Sequence, residues 1–446
     1  MSERERLDEE DARILALENA TIAGHTCKIA IVDPLPSGAP LAALRERLTA
    51  RLPRVPRCCQ CLAPSPSGAK KETALFWRDD EAFSIDTHVR PASATAGGPT
   101  TRAGLLDHVA AVMAGRLDRS RPLWAIDVVE ELEDGGWAFV WTIHHCMCDG
   151  MTSMRWAAEL LWDEHPADAT PAATPTPKPP PAKAVVEARW RRATALAEHT
   201  PAAMVRELRP VEARSPFGGK VGTTRAVAFA HCGIDELRHV EKAAGEGVTL
   251  NDVLLAVVGG GIRRWLVDRH EGVHTARVKV PVSMHARTPD GETSGNRDSF
   301  MFVDVPLAEP DPMRRLRAVH RETAARKRRG DPQTLYSVFE ALGRVPALGR
   351  LATRLTMSPH EFTLNVSNVP GPKEPQTMFG ARVRELYSLA EIAPRHALRV
   401  SAMSLAGSMF IGFNADPVIV PAVDELAADV EASLAELLAV TGGEGL

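Results

Sequence analysis

The sequence predicts an α/β or α+β protein of two domains, each a mixed sheet flanked by helices. Three observations carry this expectation. Apolar runs of strand length alternate with segments whose apolar residues recur at helical spacing, and they do so on both sides of one proline-rich stretch. That stretch, residues 166–182, holds seven prolines and no large apolar residue, so it favours extended, solvated conformations and cannot bury a core. A chain of 446 residues also exceeds one ordinary core and suits two. The division expected is residues 1–165, a linker over 166–182, and residues 183–446.

Taken in order, Lys28 to Val32 reads as a short strand, and Leu41, Leu44, Leu48 and Leu52 mark an amphipathic helix. A second helix carries Leu105, Val109, Val112 and Met113. The run Trp137 to Ile143 has the continuous apolar character of a buried strand and leads into His144-His145-Cys146-Met147-Cys148-Asp149-Gly150, an HHxxxDG pattern. Side chains alternate along a strand, so His145 shares a face with Trp137, Phe139, Trp141 and Ile143 while His144 points the other way. Only one of the two can serve a given pocket. Asp149 and Gly150 end the strand, and Met151, Met154, Ala158 and Leu161 recur at helical spacing behind them. A general base held at a strand end, with an acid nearby to fix the backbone, suits deprotonation of a hydroxyl or thiol.

Beyond the linker, a helical pattern over Val185 to Leu208 gives way to a strand at Thr224 to Ala230. Thr249 can cap the next helix, with Asp252 three residues on as an acidic variant of the capping box. Leu254, Val257, Val258 and Trp265 supply that helix's buried stripe. Strands follow at Val278 to Met284, Phe300 to Val305, Phe362 to Ser367, Leu398 to Ser404 and Met409 to Asn414. The last helix uses Leu426, Val430, Leu434 and Leu438, with Pro421 placed to open it.

Composition narrows the function classes. Hydrophobic content of 44% and charged content of 25% are those of a soluble globular protein, and a net charge of −4 with no basic, aromatic-interleaved stripe gives no reason to expect nucleic acid. The segment Met1 to Asp11 is acidic and polar where a signal peptide needs a basic flank and an apolar stretch. No apolar run approaches the ~18 residues of a spanning helix. The expected location is therefore cytoplasmic, with any membrane or lipid-droplet contact peripheral. Residues 341–360, with Arg344, Arg350 and Arg354 interleaved among leucines and valine, suit such a surface or equally a core helix with a solvated face. Arg314, Arg315, Arg317, Arg326, Lys327, Arg328 and Arg329 form a second basic region that could steer phosphates. Seven cysteines, an odd number, argue for free thiols. Cys58-Cys59-Gln60-Cys61 lacks a partner motif at zinc-site spacing, and strand alternation keeps His144, His145, Cys146 and Cys148 from converging on one ion, so neither a metal nor a bound cofactor is expected.

The HHxxxDG block resembles the active-site motif of the CoA-dependent acyltransferase superfamily. Four further blocks stand in order along the chain: Pro122-Leu123-Trp124 upstream of it, and downstream Asn251-Asp252, Gly295-Asn296, and Asn365 to Pro372 with its Asn368-Val369-Pro370-Gly371-Pro372 turn. Together they resemble the bacterial wax ester synthase/diacylglycerol acyltransferase family. The resemblance implies two chloramphenicol-acetyltransferase-like domains forming a pseudo-dimer, with the motif near their interface and a channel open on two sides. It implies acyl transfer from acyl-CoA, as co-substrate, to the hydroxyl of diacylglycerol or a fatty alcohol. The alternatives are transfer to a non-lipid acceptor on the same fold, and a non-enzymatic acyl-chain or lipid-surface binding protein.

For His145 the bland reading is a core histidine satisfied by a backbone carbonyl. The second histidine, the Asp-Gly turn and the other blocks favour a general base, and imidazole's ordinary pKa of about 6.5 suits the task. His144 then takes a positioning role. The resemblance makes Asp149 a structural anion paired with an arginine directly after a PVSx segment. Here Pro281-Val282-Ser283-Met284 is followed by His285, with Arg287 two residues on, which leaves that partner open. Asn251, in the first turn of a helix, is either an oxyanion donor or a hydrogen-bonded joint between domains. The Pro122-Leu123-Trp124 block and the Asn368 to Pro372 turn read as packing and a rigid bend, the latter placed to line the channel.

Overall fold

The computed structural model describes residues 5–35, 40–64, 75–92, 98–163, 215–283, 298–329 and 362–443. The linker, the Val185 to Leu208 pattern, the Gly295-Asn296 pair, His285, Arg287 and the basic stretch 341–360 lie outside them.

Two six-stranded mixed sheets organise the chain. The first takes β1 (His25–Val32), β4 (Val89–Pro91), β5 (Trp124–Val129), β6 (Trp137–His144), β11 (Thr377–Met378) and β12 (Ala381–Ala390), in the order β11-β12-β1-β6-β5-β4. Strands β1 and β6 lie antiparallel at its centre and are buried along their whole length, which is why β6 reads as a nearly continuous apolar run, while β1 carries His25, Thr26 and Lys28 buried among its apolar residues. Helices α1 (Glu9–Leu17), α2 (Pro40–Arg51), α4 (Arg102–Ala114) and α5 (Gly150–Leu160), with the short α3 (Ile85–His88) and the pair β2 (Gln60–Pro64) and β3 (Leu75–Asp79), complete this half. Leu44, Leu48, Leu105, Val109 and Met113 are fully buried against the sheet, the face that the leucine spacing of α2 and α4 anticipates.

The second sheet takes β7 (Ala226–Gly233), β8 (Thr275–Ser283), β9 (Asp298–Pro306), β10 (Leu364–Val369), β13 (Leu398–Leu405) and β14 (Ser408–Ala415), in the order β7-β14-β13-β10-β8-β9. Helices α6 (Ile234–Ala244), α7 (Leu250–Asp268), α8 (Pro312–Arg329) and α9 (Val423–Thr441) pack against it. Helix α7 is buried nearly all round over its first three turns, a wider contact than the expected single stripe, because α8 and α9 also lie on it. Pro421 stands one residue before the α9 cap, Ala422, rather than inside the helix.

Strands β11 and β12 belong by sequence to the segment after the linker yet pair onto β1 at the edge of the first sheet. The sheets therefore do not divide where the sequence does. The chain from residue 377 to 390 crosses over and returns through residues 391–397 to β13.

Candidate active site

Strand β6 delivers both histidines to the junction of the two sheets. The main-chain N–H of His144 donates to Leu123 O at 2.9 Å, and that of His145 donates to Gly24 O at 3.0 Å. The Pro122-Leu123-Trp124 block thus supports the motif directly: Trp124 opens β5 beside Ile143, and its indole donates to Cys58 O at 2.7 Å. Gly24 has φ +74, and a Cβ there would stand 2.6 Å from His144 Nε2, so glycine is needed for both conformation and space.

The two rings meet different surroundings. His144 is fully buried. Its Nδ1 accepts from the Cys146 N–H at 3.2 Å, which puts the proton of the neutral ring on Nε2, and Nε2 faces Glu18 Oε2 at 3.5 Å. Arg119 Nε donates to the same carboxylate oxygen at 2.9 Å. Burial alone would raise the Glu18 pKa, but the His144 ring beside it and the hydrogen bond from Arg119 outweigh it and hold the carboxyl below its usual range.

His145 lines a cavity of about 220 Å³ between the sheets. Burial first, then the Arg399 charge, push its pKa down to about 4, so the ring is neutral near pH 7. Asp149 is buried and caps α5, accepting from the Thr152 N–H at 2.7 Å. Gly150 follows because a Cβ there would meet Val369 Cγ2 at 2.9 Å, which seats the first motif against the Asn368 to Pro372 turn. In that turn Asn368 and Gly371 are half-buried, Pro370 is exposed, and the Gly371 N–H donates to Ser404 Oγ at 3.0 Å. Helix α5 buries Ser153, Ala157 and Leu160; of the expected line Leu161 is buried, Met154 and Ala158 pack half-buried against the core, and Met151 is exposed.

The opposite wall comes from the second sheet and was not legible in the sequence. Strand β10 runs parallel to β8 and β13 with Asn365 beside both Lys279 and Arg399, and all three side chains line the cavity with His145. His25, paired across from His144, also lines it and is pushed to about pKa 3 chiefly by burial. Lys28 is buried beneath, donating to Ser388 Oγ at 2.6 Å, and burial lowers its pKa to about 8. A lysine inside the apolar run of β1 was the available signal for it.

Asn251 is half-buried in the first turn of α7 and is not among the residues lining this cavity. Its neighbour Asp252 completes the expected capping box with Thr249, and also accepts from Thr323 Oγ1 at 2.6 Å and His320 Nδ1 at 3.0 Å. Burial raises and these hydrogen bonds lower the Asp252 pKa, the latter winning. In the basic region, Arg315 and Arg326 are buried and held by Glu309 O and Glu322, so only part of that run faces water.

Two mixed sheets meeting at such a cavity make the fold of the chloramphenicol-acetyltransferase-like pseudo-dimers. The first condensation domain of the CDA synthetase matches it at TM-score 0.62 and 15% identity, covering 99% of this chain and 97% of that domain. The wax ester synthase/diacylglycerol acyltransferase from Marinobacter aquaeolei VT8 matches at TM-score 0.71 and 21% identity, covering 98% of this chain and 100% of that one. The family profile of the wax ester synthase/diacylglycerol acyltransferase catalytic domain matches residues 7–254, and that of the family's C-terminal domain residues 294–438. The chain belongs to the wax ester synthase/diacylglycerol acyltransferase family. Relatives include a protein of Mycobacterium tuberculosis H37Rv named as a probable diacylglycerol O-acyltransferase, 30% identical over 398 residues, or 85% of this chain and 84% of its own. A second from the same strain, similarly named, is 28% identical over 97% of this chain and 98% of its own.

Proposed function

We propose that the chain is an acyl-CoA-dependent O-acyltransferase that moves a long-chain acyl group to the hydroxyl of diacylglycerol or of a fatty alcohol, with His145 as general base. The observation that carries the reading is a neutral histidine, at the end of the HHxxxDG strand, lining a cavity between the two sheets. The imidazole of His145 takes the proton of the acceptor hydroxyl as its oxygen attacks the thioester carbonyl. The tetrahedral intermediate then expels CoA thiolate, which recovers the proton from the imidazolium. His144, Asp149 and Gly150 serve as positioning residues: His144 braces the turn through Cys146, Asp149 starts α5, and Gly150 admits Val369. Asp252, which ties the start of α7 to α8 within the second half, supports an architectural role for that helix start, and with it for Asn251, rather than an oxyanion donor.

Family membership and the relatives' names support acyl transfer and favour diacylglycerol. A related starter condensation domain of rhizomide synthetase was solved in complex with C8-CoA, which supports acyl-CoA as donor. Among the described residues no helix is long and apolar enough to cross a membrane, so a lipid acceptor would be met at a surface. The test offers radiolabelled palmitoyl-CoA with diacylglycerol and with hexadecanol separately and resolves products by chromatography. Labelled triacylglycerol or wax ester supports the reading. CoA release only with small polar acceptors, or none at all, would replace it.

A further inference from the structure

The cavity face opposite His145 presents a row of three polar side chains on adjacent strands, Lys279, Asn365 and Arg399. The middle one is chemically distinct. Asn365 Oδ1 is shut off from water and has no hydrogen-bond partner among the described residues. Buried polar atoms are satisfied as a rule, and an exception on a cavity wall calls for a ligand atom. That atom must be a donor, an N–H or O–H, because a carbonyl oxygen only accepts. Lys279 and Arg399 on either side are donors only. The row therefore suits a group that carries a donor and an acceptor together.

Given acyl-CoA and a lipid alcohol as substrates, few groups meet that demand. Ester and thioester carbonyls only accept. The acceptor's single hydroxyl gives its proton to His145. The secondary amides of the pantetheine arm have N–H and C=O side by side, and one lies two methylenes from the thioester sulfur. We propose that Asn365 is a binding residue for the acyl donor, its Oδ1 taking the N–H of a pantetheine amide whose carbonyl lies toward Lys279 or Arg399. This rests on the acyl-CoA reading above and adds to it the wall that recognises the donor.

The experiment compares two palmitoyl thioesters with the full chain: that of N-acetylcysteamine, and that of 2-acetoxyethanethiol, in which an ester oxygen replaces the N–H. The wild-type protein should prefer the amide by roughly tenfold in kcat/KM, the loss expected for one buried hydrogen bond. Asn365→Leu should bring the two thioesters to equal rates and raise the KM for palmitoyl-CoA more than it lowers kcat. A merely structural defect would lower both rates by one factor and leave their ratio intact, which overturns the proposal. So does a wild-type protein without the preference, a measurement that needs no variant. Failure to transfer from palmitoyl-CoA itself would instead overturn the acyltransferase reading, and is read in the same assay.

Discussion

At the scale of single residues, the site works by setting two adjacent histidines apart. His144 is a braced, fully buried ring and His145 a neutral one at the cavity. A base with a folded pKa of about 4 stays unprotonated well below 6.5, so the acid limb of kcat/KM should fall toward pH 4 and not near 6.5. Stability moves the other way from a salt-bridged histidine: the unfolded ring takes up protons that the folded one refuses, so stability is lost as pH falls from about 6.5 toward about 4. A pH series of kcat/KM, with circular dichroism at each point, separates the two; a break near 6.5 in folded protein contradicts this account. Gly24→Ala should destabilise by about 1–2 kcal/mol from its positive φ alone, and more from the His144 contact, as read by denaturant unfolding.

At the scale of elements, legibility followed local pattern. Strand β6 and helices α2, α4 and α7 announced themselves through apolar runs, leucine spacing and the Thr249 cap. Strand β5 did not, because Trp124 to Val129 looked like packing around a proline. Strand β12 did not either, since Arg382, Arg384 and Glu385 interrupt its apolar face although most of it is buried. The motif residues were readable as a motif. Lys279, Asn365 and Arg399 were not, because only strand register brings together residues so distant in sequence. The α7 start permits a direct check. If Asn251 and Asp252 form a joint, Asp252→Ala should cost roughly 1–3 kcal/mol by stranding the buried Thr323 and His320 contacts, and Asn251→Ala should leave kcat nearly unchanged. Thermal unfolding and steady-state kinetics on one preparation decide it: a sharp fall in kcat for Asn251→Ala, with normal stability, makes Asn251 an oxyanion donor instead.

At the scale of the whole molecule, the two halves are stitched by more than the linker. β12 completes the first sheet, and Asn414 of β14 donates to Ala390 O at 3.0 Å. Arg225, ahead of β7, pairs with Glu391 at 3.2 Å, both buried, while Glu391 also accepts from the Ala23 N–H beside the cavity. Glu391→Ala should therefore destabilise by about 3–5 kcal/mol, by leaving a buried guanidinium unpaired, and a paired Arg225→Met/Glu391→Leu variant should recover much of it. Equal losses in the single and double variants, by denaturant unfolding, would make the pair incidental.

On the proposed mechanism, one histidine at this junction, His145, carries acyl transfer. That role is tested most directly by His145→Ala and His144→Ala assayed beside wild type for esterification of diacylglycerol and hexadecanol by radiolabelled palmitoyl-CoA. His145→Ala should lose about 10²–10⁴ in turnover with unchanged circular dichroism, and His144→Ala should lose less. Wild-type turnover by folded His145→Ala would contradict it.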